Sequence, residues 1–257
     1  MTTSRHRPPG GYRVTDYPTF AVTVDNVILT MVEGRLHVLL VRRKEDPYSG
    51  CWALPGGFKR PDESLDQAAA RELEEETGVA APARLMQLGA YGDPGRDPRT
   101  NVVTVAYLAV TPTISDVNAG TDAADARVWP VAEVLGSLEL AFDHSVILAD
   151  AIEHAAVQLE QTDLAIAFMG PTFSLSELQS VYEELWSIDF NDANFQRSIR
   201  APSKDSNGAR AYIESTGLHG DSRPRGGRPP ELYQAGPAWI DGPPIRRPRA
   251  SGSTEGR

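Results

Sequence analysis

The sequence has little cysteine and no long apolar run. Its 257 residues include a single cysteine, Cys51, which excludes an internal disulfide framework and a multi-cysteine zinc site and suits a reducing compartment. No stretch approaches the roughly 20 apolar residues of a membrane span, and the N-terminal MTTSRHRPPGG lacks the apolar core of a signal peptide. We therefore expect a soluble cytoplasmic protein with no membrane partner.

The chain also lacks an overall positive charge, but its charges are unevenly distributed. The net charge of -10 excludes a wholly basic nucleic-acid coat. From Arg197 to the end, 11 Arg and Lys stand against 6 Asp and Glu, about +5, so the rest of the chain carries about -15. Composition is near the globular average, and the length favours two domains. One acidic and one basic domain are expected.

The first 160 residues alternate strand and helix patterns. Residues 1–17 are polar and predict a flexible arm. FAVTVDNVILTMV and LHVLLVRR, joined by EGR, predict two strands with a tight turn, and WALPGGF, RLMQLGAYG and VVTVAYLAV continue the strand pattern. Helices are predicted from Ser64 to Thr77, closing on Gly78, and from about Ser145 to Gln161. The segment 18–160 is therefore predicted to be an α+β or α/β domain.

The pattern changes after residue 160. FSLSELQSVYEELW predicts an amphipathic helix, because Ser174 and Glu177 have the spacing of a capping box. ANFQRSIR predicts a shorter helix, and AYIEST and ELYQAG predict two strands around HGDSRPRGGRPP. Helix, helix and hairpin is the order of a winged helix, predicted over residues 161–235. The proline- and arginine-rich segment 236–257 is predicted to be a disordered tail.

Three glutamates crowd one end of the first predicted helix. Glu72, Glu75 and Glu76 are spaced i, i+3 and i+4, so their carboxylates lie on one helix face and repel one another. The helix C-terminus is itself unfavourable for anions. A hard divalent cation relieves both effects, and Mg²⁺ takes one or two carboxylates plus waters and phosphates. A loop at Gly56 and Gly57 could add a backbone carbonyl. The alternative is a solvated acidic face.

The same segment resembles the Nudix box. The pattern G, five residues, E, seven residues, R-E-aliphatic-x-E-E-x-G-aliphatic matches Gly57, Glu63, Arg71, Glu72, Leu73, Glu75, Glu76, Gly78 and Val79. The resemblance implies a Nudix fold, a mixed sheet between helices. It also implies Mg²⁺ or Mn²⁺ held by Gly57, Glu72, Glu75 and Glu76, with Arg71 and Glu63 completing the catalytic set. The spacing of Glu63 and Arg71 lets them pair and hold the loop in place. We expect Glu76 to be the leading ligand.

Arginines elsewhere predict a phosphate- or ribose-binding site. Guanidinium forks suit such groups, and the candidates are Arg42, Arg43, Arg96, Asp97 and Arg99. The alternative is a charged surface loop. FAVTVDNVILT, LHVLLVRR, WALPGGF, GDPGRDPRTNVVTVAYLAV, AFDH and FSLSELQSVYE together resemble the Nudix-related transcriptional regulators of NAD metabolism, the NrtR family. In AFDH, His144 alone favours a helix start or a core position.

That resemblance implies an α+β protein in which an ADP-ribose-binding Nudix domain precedes a DNA-binding winged helix. Such a regulator, a repressor of NAD biosynthesis or salvage genes, is expected to be a homodimer on a palindromic operator. Residue types that contact bases or phosphates predict the DNA-binding set Asn194, Gln196, Arg197, Arg200, Arg223, Arg225 and Arg228. APSKDSNGAR, after Arg200, is longer and more loop-like than the family pattern, which leaves the end of the recognition helix open.

A second function stays open from the sequence. The intact box also fits a metal-dependent ADP-ribose pyrophosphatase, releasing AMP and ribose 5-phosphate, whose C-terminal module only packs or dimerises. Both activities can coexist in one chain. The sign of any ADP-ribose effect on DNA binding, the operator, and substrates such as NADH are not fixed by the sequence.

Overall fold

The computed structural model describes residues 13–82, 84–114, 117, 123–201, 203–205, 208–221, 229–236 and 244–248. Its main sheet is mixed, because β1 runs parallel to β6 while the other pairs are antiparallel. The seven strands are β1 (Ala21–Val32), β2 (Arg35–Arg43), β3 (Trp52–Ala53), β4 (Gly56–Phe58), β5 (Met86–Tyr91), β6 (Val102–Val110) and β7 (Ala123–Pro130). The predicted strands and the α+β class are confirmed; β7 was not predicted.

The β1–β2 turn follows from its residues. Glu33 and Gly34 have φ values of 50° and 76°, the positive values that a two-residue hairpin turn needs. The tight turn predicted at EGR is therefore confirmed.

Helices cover both faces of the sheet. The first helix, α1 (Leu65–Thr77), buries Ala69 and Leu73 against β1, and α2 (Val131–Ser137) follows β7. The long helix α3 (His144–Gln158) packs Ile147 and Leu148 against the opposite face. The observed α3 begins one residue before the predicted helix and ends three residues earlier. The resulting three layers place the start of α3 on the face opposite α1.

The remaining elements form a smaller C-terminal unit. It contains α4 (Leu164–Ala167), β8 (Phe173–Ser174), α5 (Leu175–Trp186), α6 (Asp192–Ile199), β9 (Ser203–Asp205), β10 (Gly208–Arg210), β11 (Ile213–His219) and β12 (Glu231–Ala235). Strands β11, β12 and β8 make one antiparallel sheet. APSKDSNGAR, predicted to be loop-like, instead contains the paired strands β9 and β10. Helix α6 ends before it, at Ile199.

The two units share one hydrophobic core. Trp186 of α5 is buried, and its Nε1 donates to the carbonyl of Ala156 in α3 at 2.8 Å. On the other side of α5, Glu184 accepts from the backbone N of Leu36 and pairs with Arg35. Helix α5 is thereby held against both α3 and the β1–β2 hairpin.

Part of the predicted disordered tail is ordered. Ile245 is buried in the shared core, Arg246 donates to the carbonyl of Glu160, and Arg247 pairs with Glu153. The structure therefore departs from the predicted tail at residues 244–248. Within the described residues, no helix has both the length and the apolar character needed to cross a bilayer.

Candidate functional site

The first helix carries the Nudix-box residues and is set by its own caps. Ser64 accepts from the backbone N of Gln67, whose side chain accepts from the Ser64 backbone, so a capping box starts α1. Gly78 adopts φ 69°, the left-handed conformation that ends helices. The predicted limits of α1 are confirmed.

Arg71 makes the largest set of side-chain hydrogen bonds described in this segment. Its guanidinium donates twice to Glu63, at 2.7 and 2.9 Å, and once each to Glu72 at 2.7 Å and Glu75 at 3.0 Å. A further bond reaches the Phe58 carbonyl at 3.1 Å. The predicted pairing of Glu63 with Arg71 is confirmed. It ties the loop before α1, and the end of β4, to the helix.

The Glu63–Arg71 pair is expected to make the folded protein less stable at acid pH. Bonds from Arg71 and from the Arg60 backbone lower the pKa of Glu63 from 4.5 to about 2. A carboxyl group whose pKa is lower in the folded state stabilises the fold at pH values above its unfolded-state pKa. This stabilisation is lost as the pH falls towards the folded-state pKa. We expect the melting temperature of Glu63→Gln to lie below wild type at pH 7 and to converge on it as pH falls from 4.5 towards 2. A constant difference in thermal melts would contradict this.

The three clustered glutamates have different surroundings. Glu76 accepts from the backbone N of Gly56 at 2.8 Å, and the Glu72 carboxylate lies where a side chain on Gly57 would be. Glu75 is instead exposed and bonded to Arg60 and Arg71. Glu72 and Glu76 therefore lie beside the glycine loop, with Glu72 also bonded to Arg71, whereas Glu75 contacts Arg60 and Arg71.

Burial acts on the two glutamates that face the loop. It raises the pKa of Glu76 to about 8, assisted by the negative charges of Glu72 and Asp25 and opposed by the Gly56 N–H. Burial also raises the pKa of Glu72, against the effect of Arg71. For both carboxyl groups, burial away from water is the largest cause of the raised pKa.

Within the described residues, no three His, Cys, Asp or Glu side chains converge as a ready metal shell. Mg²⁺ needs only one or two protein carboxylates when waters and phosphates complete its shell. The oxygen atoms of Glu72 and Glu76, two half-buried carboxyl groups beside the glycine loop, fit that requirement.

An open cavity of about 290 Å³ lies beside these carboxylates. Its wall includes Gly56, Gly57 and Glu76 and all five residues predicted to bind substrate: Arg42, Arg43, Arg96, Asp97 and Arg99. Arginines from the end of β2 and from the loop before β6 are therefore brought together on the cavity wall.

The outer part of the cavity combines aromatic rings with guanidinium groups. The Arg43 guanidinium lies 4.9 Å from the Phe142 ring centroid, and that of Arg99 lies 5.3 Å from the Phe58 ring. Phe58 is 45% exposed, so this end is open. Arg99 also makes paired bonds to Asp97, which lower the pKa of that carboxyl. The rings form flat apolar surfaces with cations beside them.

The inner end of the cavity is a buried polar cluster at the start of α3. Arg96 donates to Asp143 at 2.6 and 2.9 Å, and the Nδ1 of His144 accepts from the Leu54 backbone N at 2.9 Å. Burial lowers the pKa of His144, so its ring is neutral and carries its hydrogen on Nε2. That atom faces Asp25 Oδ1 at 3.5 Å.

Sequence reasoning did not predict Asp25, Phe58, Phe142 or Asp143 for this site. For His144 it favoured a helix start or core position; the structure shows a buried helix-start residue that also lines the cavity. AFDH was the available signal for the start of α3.

The predicted DNA-binding residues are only partly described. Helix α6 is capped by Asn191 and exposes Asn194 and Arg197, with Gln196 half-buried. Arg200 instead follows the helix, donates to the Tyr233 hydroxyl and lies 3.7 Å from Glu231. Arg223, Arg225 and Arg228 fall outside the described residues.

Comparisons with known proteins identify the domain that contains this site. The family model of the NUDIX domain matches residues 19–151. The ADPR responsive transcriptional repressor NtrR of Acinetobacter baylyi is 33% identical over 225 residues, 87% of this chain and 85% of that protein.

Solved structures extend the likeness to both units. Shewanella oneidensis NrtR complexed with a 27mer DNA is 34% identical, covers 83% of this chain and 93% of its own, and superposes with a TM-score of 0.67. The NUDIX domain of Shewanella oneidensis NrtR complexed with ADP ribose is 37% identical, covers 56% of this chain and 94% of its own, and gives a TM-score of 0.52.

The α+β fold and the box on α1 thus define a Nudix-domain protein. The similarity continues beyond the Nudix domain into the C-terminal unit. The chain belongs to the NrtR family of Nudix regulators.

Proposed function

We propose that the protein is an ADP-ribose-responsive transcriptional repressor of NAD-metabolism genes. In this proposal the Nudix domain (residues 18–160) binds ADP-ribose, and a winged helix (residues 161–235) binds operator DNA as part of a homodimer. The observation that carries it is the similarity across both units to a regulator solved with DNA. The test is a mobility-shift titration of promoter DNA with ADP-ribose; unchanged DNA affinity would contradict it.

The cavity chemistry supports ADP-ribose as the ligand. Phe58 and Phe142 offer rings on which a base can stack, and Arg43 and Arg99 supply charge for phosphates. The Acinetobacter repressor responds to ADP-ribose, the Shewanella NUDIX domain was solved with ADP-ribose, and both are similar to this chain over the same domain. A nucleotide would fit the cavity with its base against the rings at the outer end and its diphosphate towards Glu76.

A divalent cation, Mg²⁺ or Mn²⁺, is proposed on the side of the cavity next to α1. Glu72 and Glu76 would hold it, with the Gly57 carbonyl, and Glu75 would act through Arg71. When bound, such an ion polarises a diphosphate and activates water. Arg71 and Glu63 contribute by fixing the loop against the helix.

The C-terminal unit has the order and the exposed residues expected of a winged helix. Helices α5 and α6 precede the β11–β12 hairpin, and α6 presents Asn194 and Arg197 to solvent. The chain from Arg197 onward carries the positive excess counted above. We propose α6 as the recognition helix and the segment with Arg223, Arg225 and Arg228 as the wing.

Arg197→Ala tests this assignment. Removal of one phosphate contact should weaken binding about equally for all sequences and reduce the salt slope by about 1. Fluorescence anisotropy at several salt concentrations measures both. Arg84→Ala, an exposed arginine of the Nudix domain, is the matched control and should leave both unchanged. Equal effects of the two variants would contradict the assignment of α6.

Helix α3 provides a physical route between the two binding sites. Its first residue, His144, lines the cavity, and the preceding residue Asp143 binds the cavity-lining Arg96. Further along α3, the carbonyl of Ala156 accepts from Trp186 of α5. A ligand that displaces Arg96 or Asp143 would therefore act on the helix that supports the C-terminal unit. Coupling between two sites is reciprocal, so DNA must alter ADP-ribose affinity by the same factor.

The second candidate is an ADP-ribose pyrophosphatase. The intact box, with Glu76 beside the glycine loop, favours retained hydrolysis. Hydrolysis together with regulation would remove the signal after it acts. Hydrolysis without specific DNA binding would support the enzyme as the sole function.

A further inference from the structure

Two buried side chains at the floor of the cavity lack partners. Thr23 and Asp25 are two residues apart on β1, so both point to the same face of the sheet. They are 8% and 6% exposed and line the cavity. Among the described residues, Thr23 Oγ1 and Asp25 Oδ2 have no hydrogen-bond partner. Thr104 pairs with Thr23 from the neighbouring strand β6, and its Oγ1 is also buried without a hydrogen-bond partner among the described residues.

The groups around Asp25 bond elsewhere. Arg96 directs its paired bonds to Asp143 and stays 3.5 Å from Asp25 Oδ2. The Nε2 of His144 is also 3.5 Å from the nearer oxygen. Arg96 therefore compensates the charge of Asp25 without a good hydrogen bond, and the neutral His144 ring also lies beyond good hydrogen-bond distance. Asp25 is thus a buried, cavity-lining carboxylate whose Oδ2 has no hydrogen-bond partner among the described residues.

The backbone of β4 leaves no room for a side chain to fill that gap. A Cβ on Gly56 would lie 2.6 Å from Asp25 Oδ1 and 2.2 Å from the Val24 carbonyl. Since a buried acceptor without a partner costs free energy, its retention beside an open cavity favours a ligand that supplies the donor.

The missing partner must be a hydrogen-bond donor. An ionised carboxylate only accepts, while the threonine hydroxyl both donates and accepts. A phosphate would be repelled by Asp25, and the base already has the rings at the outer end. Neighbouring hydroxyls of a sugar supply donors at suitable spacing.

We propose that Asp25, assisted by Thr23, reads the hydroxyls of the ribose attached to the distal phosphate of ADP-ribose. This inference rests on the proposed function. It makes Asp25 a specificity-determining residue that separates ADP-ribose from ADP, which lacks that sugar. Affinity for the adenine and diphosphate parts does not depend on it.

The experiment is calorimetric titration of wild type and Asp25→Asn with α,β-methylene analogues of ADP-ribose and ADP, which cannot be cleaved at the bridge. Titrations are run in EDTA and in Mg²⁺. Loss of a hydrogen bond to a charged acceptor should weaken ADP-ribose-analogue binding about tenfold or more. Binding of the ADP analogue should stay within about twofold of wild type. Thr23→Val should give a smaller loss of the same kind.

Asp163→Asn is the matched control, because Asp163 is an exposed residue that pairs with Arg84 away from the cavity. Equal losses for both analogues would mean that Asp25 only positions Arg96 or the fold, and would overturn the inference. A loss seen only with Mg²⁺ would mean that it acts through the metal, and would also overturn it. If the wild-type protein binds the ADP-ribose analogue neither in EDTA nor in Mg²⁺, the proposed function itself is contradicted.

Discussion

Glu76→Gln is expected to lower ADP-ribose hydrolysis by at least about a hundredfold, the effect of removing one main charge stabiliser from an active site. Glu76 is the box carboxylate that accepts from the Gly56 N–H and lines the cavity. Glutamine keeps the size and an acceptor oxygen, so the fold should persist. The measurement is AMP release at saturating Mg²⁺, with circular dichroism to confirm folding.

The matched control for this variant is Glu74→Gln. Glu74 lies on the same helix but is exposed, and it does not line the cavity. Its turnover should equal that of wild type. Normal turnover in Glu76→Gln would contradict the assignment of the metal ligands. Loss of turnover with retained ADP-ribose response at DNA would show that sensing does not need hydrolysis.

Trp186→Ala is expected to lower the free energy of unfolding by about 3–5 kcal/mol, the range for removing a buried large aromatic side chain. Trp186 is 2% exposed, packs edge-on against Tyr182 and donates to the Ala156 carbonyl. It is therefore a main contact between α3 and α5. Since folded domains are stable by about 5–15 kcal/mol, the C-terminal unit should separate or unfold first.

Urea denaturation followed by circular dichroism measures this effect. Wild type should unfold in one transition because the core is continuous across both units. The variant should show a lower midpoint or a second transition. Leu135→Ala, at an exposed apolar residue of α2, is the control and should change the free energy of unfolding little. A loss below about 1 kcal/mol for Trp186→Ala, the size of an ordinary point mutation, would contradict the account of the shared core.

Local signals in the sequence were enough to place the helices that carry function. Ser64 and Gly78 fix the two ends of α1 through caps, and Ser174 with Glu177 fixes the start of α5. Cap residues act within a few positions, so a single sequence contains the whole interaction. The Glu63–Arg71 pair was predictable for the same reason, because both members lie in one short segment.

The inner cavity could not be predicted in this way. Asp25 comes from β1, Arg96 from the loop before β6 and Asp143 from the start of α3, and only the tertiary fold brings them together. The same limit applies to Glu75. Helical spacing placed it with Glu72 and Glu76, but contacts with Arg60 and Arg71 turn it away from the loop.

Composition was misleading in two segments. The proline- and arginine-rich tail predicted disorder, yet Ile245 is buried and Arg247 meets Glu153 of α3. APSKDSNGAR predicted a loop, yet its ends pair as β9 and β10. The Arg247–Glu153 contact depends on a partner far along the chain, which local composition does not contain. The β9–β10 pairing is local, but its residues lack the β-branched and aromatic types that favour strands.

The arrangement gives the regulator a simple physical basis. In the proposed binding mode the diphosphate would lie next to α1 and the distal sugar at the start of α3, which packs against α5. A ligand bound at the inner end of the cavity would thus contact a helix that also packs against the C-terminal unit. A coupling of the size typical for such systems changes affinity about 5- to 150-fold.

The most direct test is an anisotropy titration of labelled promoter DNA from NAD-metabolism genes, at fixed salt, with and without ADP-ribose. AMP release is followed in the same samples. The account predicts tight, specific binding whose affinity changes at least about fivefold with ADP-ribose. Salt-labile, nonspecific binding that ignores ADP-ribose, together with rapid AMP release, would contradict it and leave an enzyme with an appended module.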